Sequence, residues 1–212
     1  MPSSALLHTP AEMPSPDWGF VAGELIQARQ TVLPKRLVAP GPDAAQTQAI
    51  LVAAAAAPDH LQLLPWRFVL VPAGQRATLG EVFAQALWER DPAATPEQLA
   101  QAREKAFRAP LLLLAVVDGA RGDPEVDLNE RILSAGCAVQ NMLLMATALG
   151  FGSALTSGKA LKSDPLRACF GLGAAEQALC FISIGTVLSR KPARVRPPVS
   201  AYLSVLGGEG VP

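Results

Sequence analysis

Charged and imidazole side chains are scarce in this 212-residue chain: Asp, Glu, Lys and Arg make up 17% of it, with two histidines and one tyrosine. Lys plus Arg and Asp plus Glu are equal at 18 each, which removes any global electrostatic case for binding nucleic acid or a membrane surface. Half of the residues are hydrophobic, yet no uninterrupted apolar run reaches the roughly 18 residues of a transmembrane helix. Residues 1–14 hold neither a basic stretch nor an apolar one, so they read as a loose polar tail rather than a signal peptide.

The three cysteines, Cys137, Cys169 and Cys180, are odd in number and far apart. They offer no disulfide framework, and with two histidines no metal-ligand spacing can be assembled. The expectation is buried free thiols in a reducing cytoplasm, and no metal. The shortage of histidine also limits catalysis. His8 falls in the tail, which leaves His60, and no G-x-S-x-G, H-E-x-x-H, Walker or G-x-G-x-x-G pattern occurs. An enzyme so poor in reactive groups would take its chemistry from a bound cofactor.

What the chain does have is a long apolar segment, Arg131 to Gly158. Asp123 as N-cap and Pro124 at the first helical position predict a helix that ends at Gly150, about 40 Å long. Beyond Ile132 it has no charged face, so it is expected to be buried nearly all round, against its own sheet and against a second subunit. The central helix of a monomeric core is the alternative. Gly150–Leu155 then reads as a short strand and Thr156-Ser157-Gly158-Lys159 as the loop after it, the place where open α/β sheets hold ligands. Many such loops are only turns.

Elsewhere, Ser15-Pro16-Asp17 opens a helix to about Thr31, and Asp43 with Gln46 opens another that ends at Pro58. Helices are expected from about Gln75 to Arg90, from Thr95 to Phe107, and briefly after Ser163. Strands are expected at 67–71, 111–117 and 178–187. The continuous apolar run at 111–117 implies burial on both faces. The pattern is α+β, a small mixed sheet covered by helices. Residues 1–21 are expected to form a flexible tail and 22–212 one domain with an extended, proline-broken C-terminal arm.

Candidate chemistry sits in a few places. Arg29, Gln30 and Thr31 place a guanidinium, an amide and a hydroxyl in succession at a helix end, with Lys35 and Arg36 just after. They suit a phosphate clamp, or else a solvated basic helix terminus. Arg190, Lys191, Arg194 and Arg196 form a second basic group in the arm, either functional or solubilising. Asp59, His60 and Trp66 lie on one helix-to-strand connection, where the plain reading is a turn capped by Asp and a tryptophan in the core.

In order along the chain, Arg29-Gln30-Thr31, RLVAPGP at 36–42, APDHLQLLPWRFVLV at 57–71, FRAPLLLLAVV at 107–117, SAGCAVQNMLLMATALGFGSALTSG at 134–158 and ISIGTV at 182–187 make the sequence resemble the FMN-dependent nitroreductase family, in particular its short YdjA-like members. The resemblance covers about residues 22 to 206. It implies a nitroreductase-like α/β sandwich in an intertwined homodimer, with two FMN molecules at the subunit interface. By position it assigns Arg29 and Thr31 to the FMN phosphate, with Gln30 in place of a second arginine. It assigns Lys35 or Arg36 to the flavin pyrimidine oxygen, and His60 to a loop beside the flavin. Leu155, Thr156 and Ser157 fall on the segment facing the ring, Met145 to Gly150 on a nicotinamide segment, and Arg194 and Arg196 on the arm that completes phosphate binding. Ala56 stands where relatives carry an arginine. The implied activity is ping-pong transfer of hydride from NAD(P)H through flavin N5 to a nitroaromatic, quinone or similar small acceptor. A non-catalytic flavin-binding or sensing dimer on the same scaffold is the alternative, and an interaction domain without cofactor a third.

Overall fold

The structure, a computed structural model, describes residues 17–190, 192 and 195–207. In chain order its helices and strands are α1 (Trp18–Ala28), β1 (Leu37–Val38), α2 (Ala44–Ala54), β2 (Trp66–Leu70), α3 (Arg76–Arg90), α4 (Pro96–Glu104), β3 (Leu111–Asp118), α5 (Leu128–Ala148), β4 (Gly152–Thr156), α6 (Asp164–Cys169) and β5 (Glu176–Val187). Two capping boxes form, at the Asp43 and Thr95 helix starts expected from sequence. Asp43 and Gln46 bond reciprocally at the start of α2, and Thr95 and Gln98 do so at α4.

β5 organises the sheet. It pairs with β3 along Glu176–Ile184, with β4 along Phe181–Gly185 and with β1 at its last two residues, while β3 pairs with β2 on its other edge. These ladders are antiparallel, and an isolated parallel bridge joins Thr31 to Ser153. Alternate residues of a strand face opposite sides, and here both sides are covered. Leu111, Leu113 and Ala115 pack with Ile182 and Ile184 under α2 and α5, whereas Leu112, Leu114 and Val116 pack with Phe181 under α3 and α6. β3 is therefore buried through Val117, as its unbroken apolar run implies. The result is an α+β sandwich.

α5 starts later than its sequence suggests. Its N-cap is Asp127, whose Oδ1 accepts from the Asn129 N–H at 2.7 Å, and Asp123 instead caps a turn by accepting from the Glu125 N–H at 2.9 Å. The cause is Arg131, 1% exposed, whose guanidinium donates to the carbonyls of Arg121 at 2.5 Å, Asp123 at 2.6 Å and Val126 at 3.0 Å. Those carbonyls converge on one cation when 121–126 turns, and would point along the axis if the segment were helical. Within the single chain one side of α5 is left open. Leu133 is 70% exposed, and Gly136 and Gln140 are exposed on the same side. Gly150 ends the helix in the left-handed region at φ +85°.

α1 ends at Ala28, so Arg29 to Thr31 leave the helix in extended form. The cysteines are free, but Cys169 is exposed, contrary to the expectation of three buried thiols. Burial pushes the Cys180 thiol up to about 11. No helix of the described residues is long and apolar enough to cross a membrane.

Candidate functional site

Gly152 decides where the N-terminal basic motif ends up. A Cβ there would lie 2.5 Å from Val187 Cγ2, 2.9 Å from Leu37 Cδ2 and 3.1 Å from Val32 Cγ2. Glycine lets these three side chains close over the start of β4. The chain leaving α1 is tied down there: the Val32 N–H donates to the Ser153 carbonyl at 2.9 Å, beside the Thr31–Ser153 bridge. Arg29 is half-buried, and its carbonyl accepts from Arg196 Nη2 at 3.3 Å. Arg29, Thr31 and Arg196 thus share one corner beside β4, with Gln30 half-buried between the first two. Arg194 lies outside the described residues.

Three residues beyond Ser153, β4 ends at a cavity of about 520 Å³, within the range of small-molecule sites. Thr156, Ser157, Gly158 and Lys159 form one wall, and Leu112 and Phe181 contribute apolar surface. Phe83 of α3 meets Phe181 edge-on, with centroids 5.5 Å apart. The remaining wall comes from α3 and the segment after α4: Leu87, Arg90, Lys105 and Arg108. Four cations line this cavity and no carboxylate does.

The structure separates other sequence candidates from this cavity. Pro34 lines it, but Lys35 and Arg36, in the tight turn Pro34–Arg36, do not. The Arg36 carbonyl is engaged by the Leu188 N–H at 2.9 Å. Leu155 is exposed and also outside the lining, its side chain alternating away from that of Thr156. In the segment Met145 to Gly150, Ala146 is fully buried, and Met145 and Leu149 pack against the core under α5. That gives the segment a packing role within one chain.

His60 lies elsewhere, beside the N-terminal end of α5. Its Nδ1 is 2.7 Å from Glu130 Oε2, both side chains being more than half exposed. A carboxylate only accepts, so Nδ1 is the donor in this contact. The loop behind it is strained: Leu61, Gln62 and Leu64 have φ of 56°, 53° and 49°. Asp59 Oδ2 holds it by accepting from the Leu64 N–H at 2.7 Å. Next to it Trp66 is buried, its Nε1–H donating to Ser134 Oγ at 3.1 Å. The residues around His60 and those lining the larger cavity have no member in common.

Sequence reasoning missed Arg90, Lys105 and Arg108. They come from the end of α3 and the segment after α4 and look like ordinary solvent-facing charges, with no spacing to mark them. It also missed Glu130, 70 residues from its histidine.

An α+β sandwich with a basic cavity at the end of β4, and few reactive side chains of its own, suits an oxidoreductase. The chain belongs to the Nitroreductase family, whose model matches residues 26–186. It is 34% identical over 163 residues to the provisionally named NAD(P)H nitroreductase YdjA of Escherichia coli (strain K12), covering 77% of this chain and 87% of that protein. Among solved structures it resembles a nitroreductase-like family protein from Bacillus cereus, with a TM-score of 0.73, 17% identity, and 88% of this chain and 96% of that one covered. It also resembles a variant of the FMN and NADPH-dependent nitroreductase NfnB from Sphigopyxis sp. strain HMH, with a TM-score of 0.69, 19% identity, and 88% and 99% covered.

Proposed function

We propose that this chain is a cytoplasmic, homodimeric, FMN-dependent NAD(P)H oxidoreductase that reduces small electron-poor acceptors by a ping-pong cycle. The observation that carries the reading is the joint placement, by β4, of a phosphate-type corner and a ring-sized cavity. Arg29, Thr31 and Arg196 gather beside Ser153, and Thr156 and Ser157 enter the cavity a few residues on. The fit to FMN is chemical. A guanidinium and a hydroxyl suit a phosphate, and hydroxyl, backbone and apolar groups suit a flat heteroaromatic ring. In bound form FMN would supply the two-electron chemistry, with N5 as the hydride-carrying atom.

The chain's own residues hold, orient and shield. Arg29 and Arg196 answer the phosphate charge. Thr156 and Ser157 would offer hydroxyls and main-chain groups to a bound ring, and Lys105, in the same cavity, would supply the positive charge for its pyrimidine oxygen, the role sequence had given to Lys35 or Arg36. Phe83, Leu112 and Phe181 exclude water, which strengthens every charge interaction inside. The exposed side of α5, with Leu133 and Gly136, is the face for the second subunit, and the partner's copy of the His60 loop completes the site.

The test is a flavin spectrum of the purified chain with NAD(P)H oxidation in the presence of a quinone. Arg29→Ala is expected to weaken FMN binding at least tenfold while the unfolding midpoint moves little. Unchanged FMN affinity would remove the phosphate assignment. Bound flavin without turnover would favour the sensing alternative.

A further inference from the structure

The cavity holds more positive charge than the proposed flavin needs. The chain is neutral overall, and its ion-paired or carbonyl-bound arginines are spoken for elsewhere: Arg67 with Glu176, Arg103 with Glu81, and buried Arg76 and Arg131 on main-chain carbonyls. Arg90 and Arg108 are different. Both face the cavity, Arg108 is half-buried, and neither stands in an ion pair with an acidic side chain among the described residues. Like charges converging in a concavity repel one another, and apolar walls such as Leu87 and Phe83 strengthen the field they make. Guanidinium forks are suited to carboxylate or phosphate, and the adjoining aromatic surface to a flat ring.

We infer that the acceptor side of this cavity selects acidic aromatic molecules, nitroaromatics or quinones bearing a carboxylate, through Arg90 and Arg108. The inference rests on the flavin reading above and adds the substrate class. The anionic group is recognised and is not changed. In the first two-electron step a nitro group becomes nitroso, taking one hydride equivalent from NAD(P)H and one proton from solvent and losing one oxygen as water; a quinone takes the same hydride and proton to become the hydroquinone.

The test uses the FMN-loaded full chain with 4-nitrobenzoate and its neutral counterpart 4-nitrobenzamide. The ratio of their kcat/KM values should favour the acid, and should shrink as salt rises to about 0.5 M because screening shortens the reach of the arginines. In Arg90→Ala/Arg108→Ala the ratio should fall about tenfold, mainly through KM for the acid. In Arg90→Lys/Arg108→Lys, which keeps charge and loses the fork, it should fall part of the way. FMN affinity and the unfolding midpoint are measured on the same samples. A ratio within twofold of the starting chain overturns the inference while leaving the flavin reading in place. FMN affinity lost with the ratio unmoved assigns the arginines to the cofactor and also overturns it. A loss confined to NADPH, with NADH and both acceptors unaffected, moves the charge recognition to the nucleotide phosphate and overturns the acceptor assignment. Absence of flavin binding in the starting chain fails the earlier reading, and this one with it.

Discussion

Trp66 shows how one residue can hold two readings until its partner is known. Its indole is buried and tilted against Phe68, with centroids 5.4 Å apart, and its N–H is satisfied by Ser134 Oγ. Ser134 begins a run of small residues on α5, Ser134, Ala135, Gly136 and Ala138, which by sequence alone suggests only close approach of another backbone. Replacing it by alanine would strand a buried donor, at a cost of about 1–3 kcal/mol. A urea midpoint for Ser134→Ala checks this; an unchanged midpoint would show that the indole is satisfied some other way. His60, six residues earlier, was legible as a loop histidine and nothing more. Its orientation comes from Glu130 and from three left-handed residues without glycine, and neither a distant carboxylate nor a strained φ leaves a mark in the sequence.

At the scale of elements, the signals that survive are local ones. The capping boxes, the unbroken apolar run of β3 and the stop at Gly150 depend on neighbours within a few residues, so they could be read directly. The start of α5 could not. Asp123-Pro124 has the chemistry of a helix start, and so does Asp127; the choice was made by Arg131, whose acceptors are main-chain carbonyls common to every sequence. Gly152 is a parallel case, since nothing near it in the chain reveals the three side chains that close over it. Gly152→Ala is expected to destabilise the fold by about 1–3 kcal/mol, because Val187, Leu37 and Val32 would all have to move. It should also weaken FMN binding, since the tie between Val32 and Ser153 runs beside it. Chemical unfolding and flavin titration on one preparation check both effects, and a stable variant with intact flavin affinity would show that the closure has slack.

For the whole molecule, the clearest electrostatic tie is Arg67 to Glu176, which links β2 to β5 on either side of β3. Its two hydrogen bonds, at 2.6 and 3.0 Å, together with the Gly173 N–H, hold the Glu176 carboxyl down at about 2 against an ordinary 4.5. A lowered folded pKa means that the stabilisation is complete above the unfolded value and is lost as pH falls. Unfolding free energy should therefore drop between about pH 4.5 and pH 2, by at most about 3 kcal/mol from this group. Glu176→Gln should flatten that part of the curve; an identical acid profile would place the sensitivity elsewhere. At this scale the sandwich was legible, because family stretches recur in order and hydrophobic periods agree with them. The basic wall was not, for it exists only once the end of α3 and the segment after α4 line the same cavity.

β4 also acts as a ruler. One of its residues, Ser153, grips the segment that carries Thr31, and another, Thr156, opens into the cavity. At about 3.3 Å per residue the interval is roughly 10 Å, a length set by pleated backbone rather than by any side chain. Whatever molecule spans those two points must match that interval, so lengthening or shortening the strand by one residue would put its two ends out of register, even with every contacting group still present.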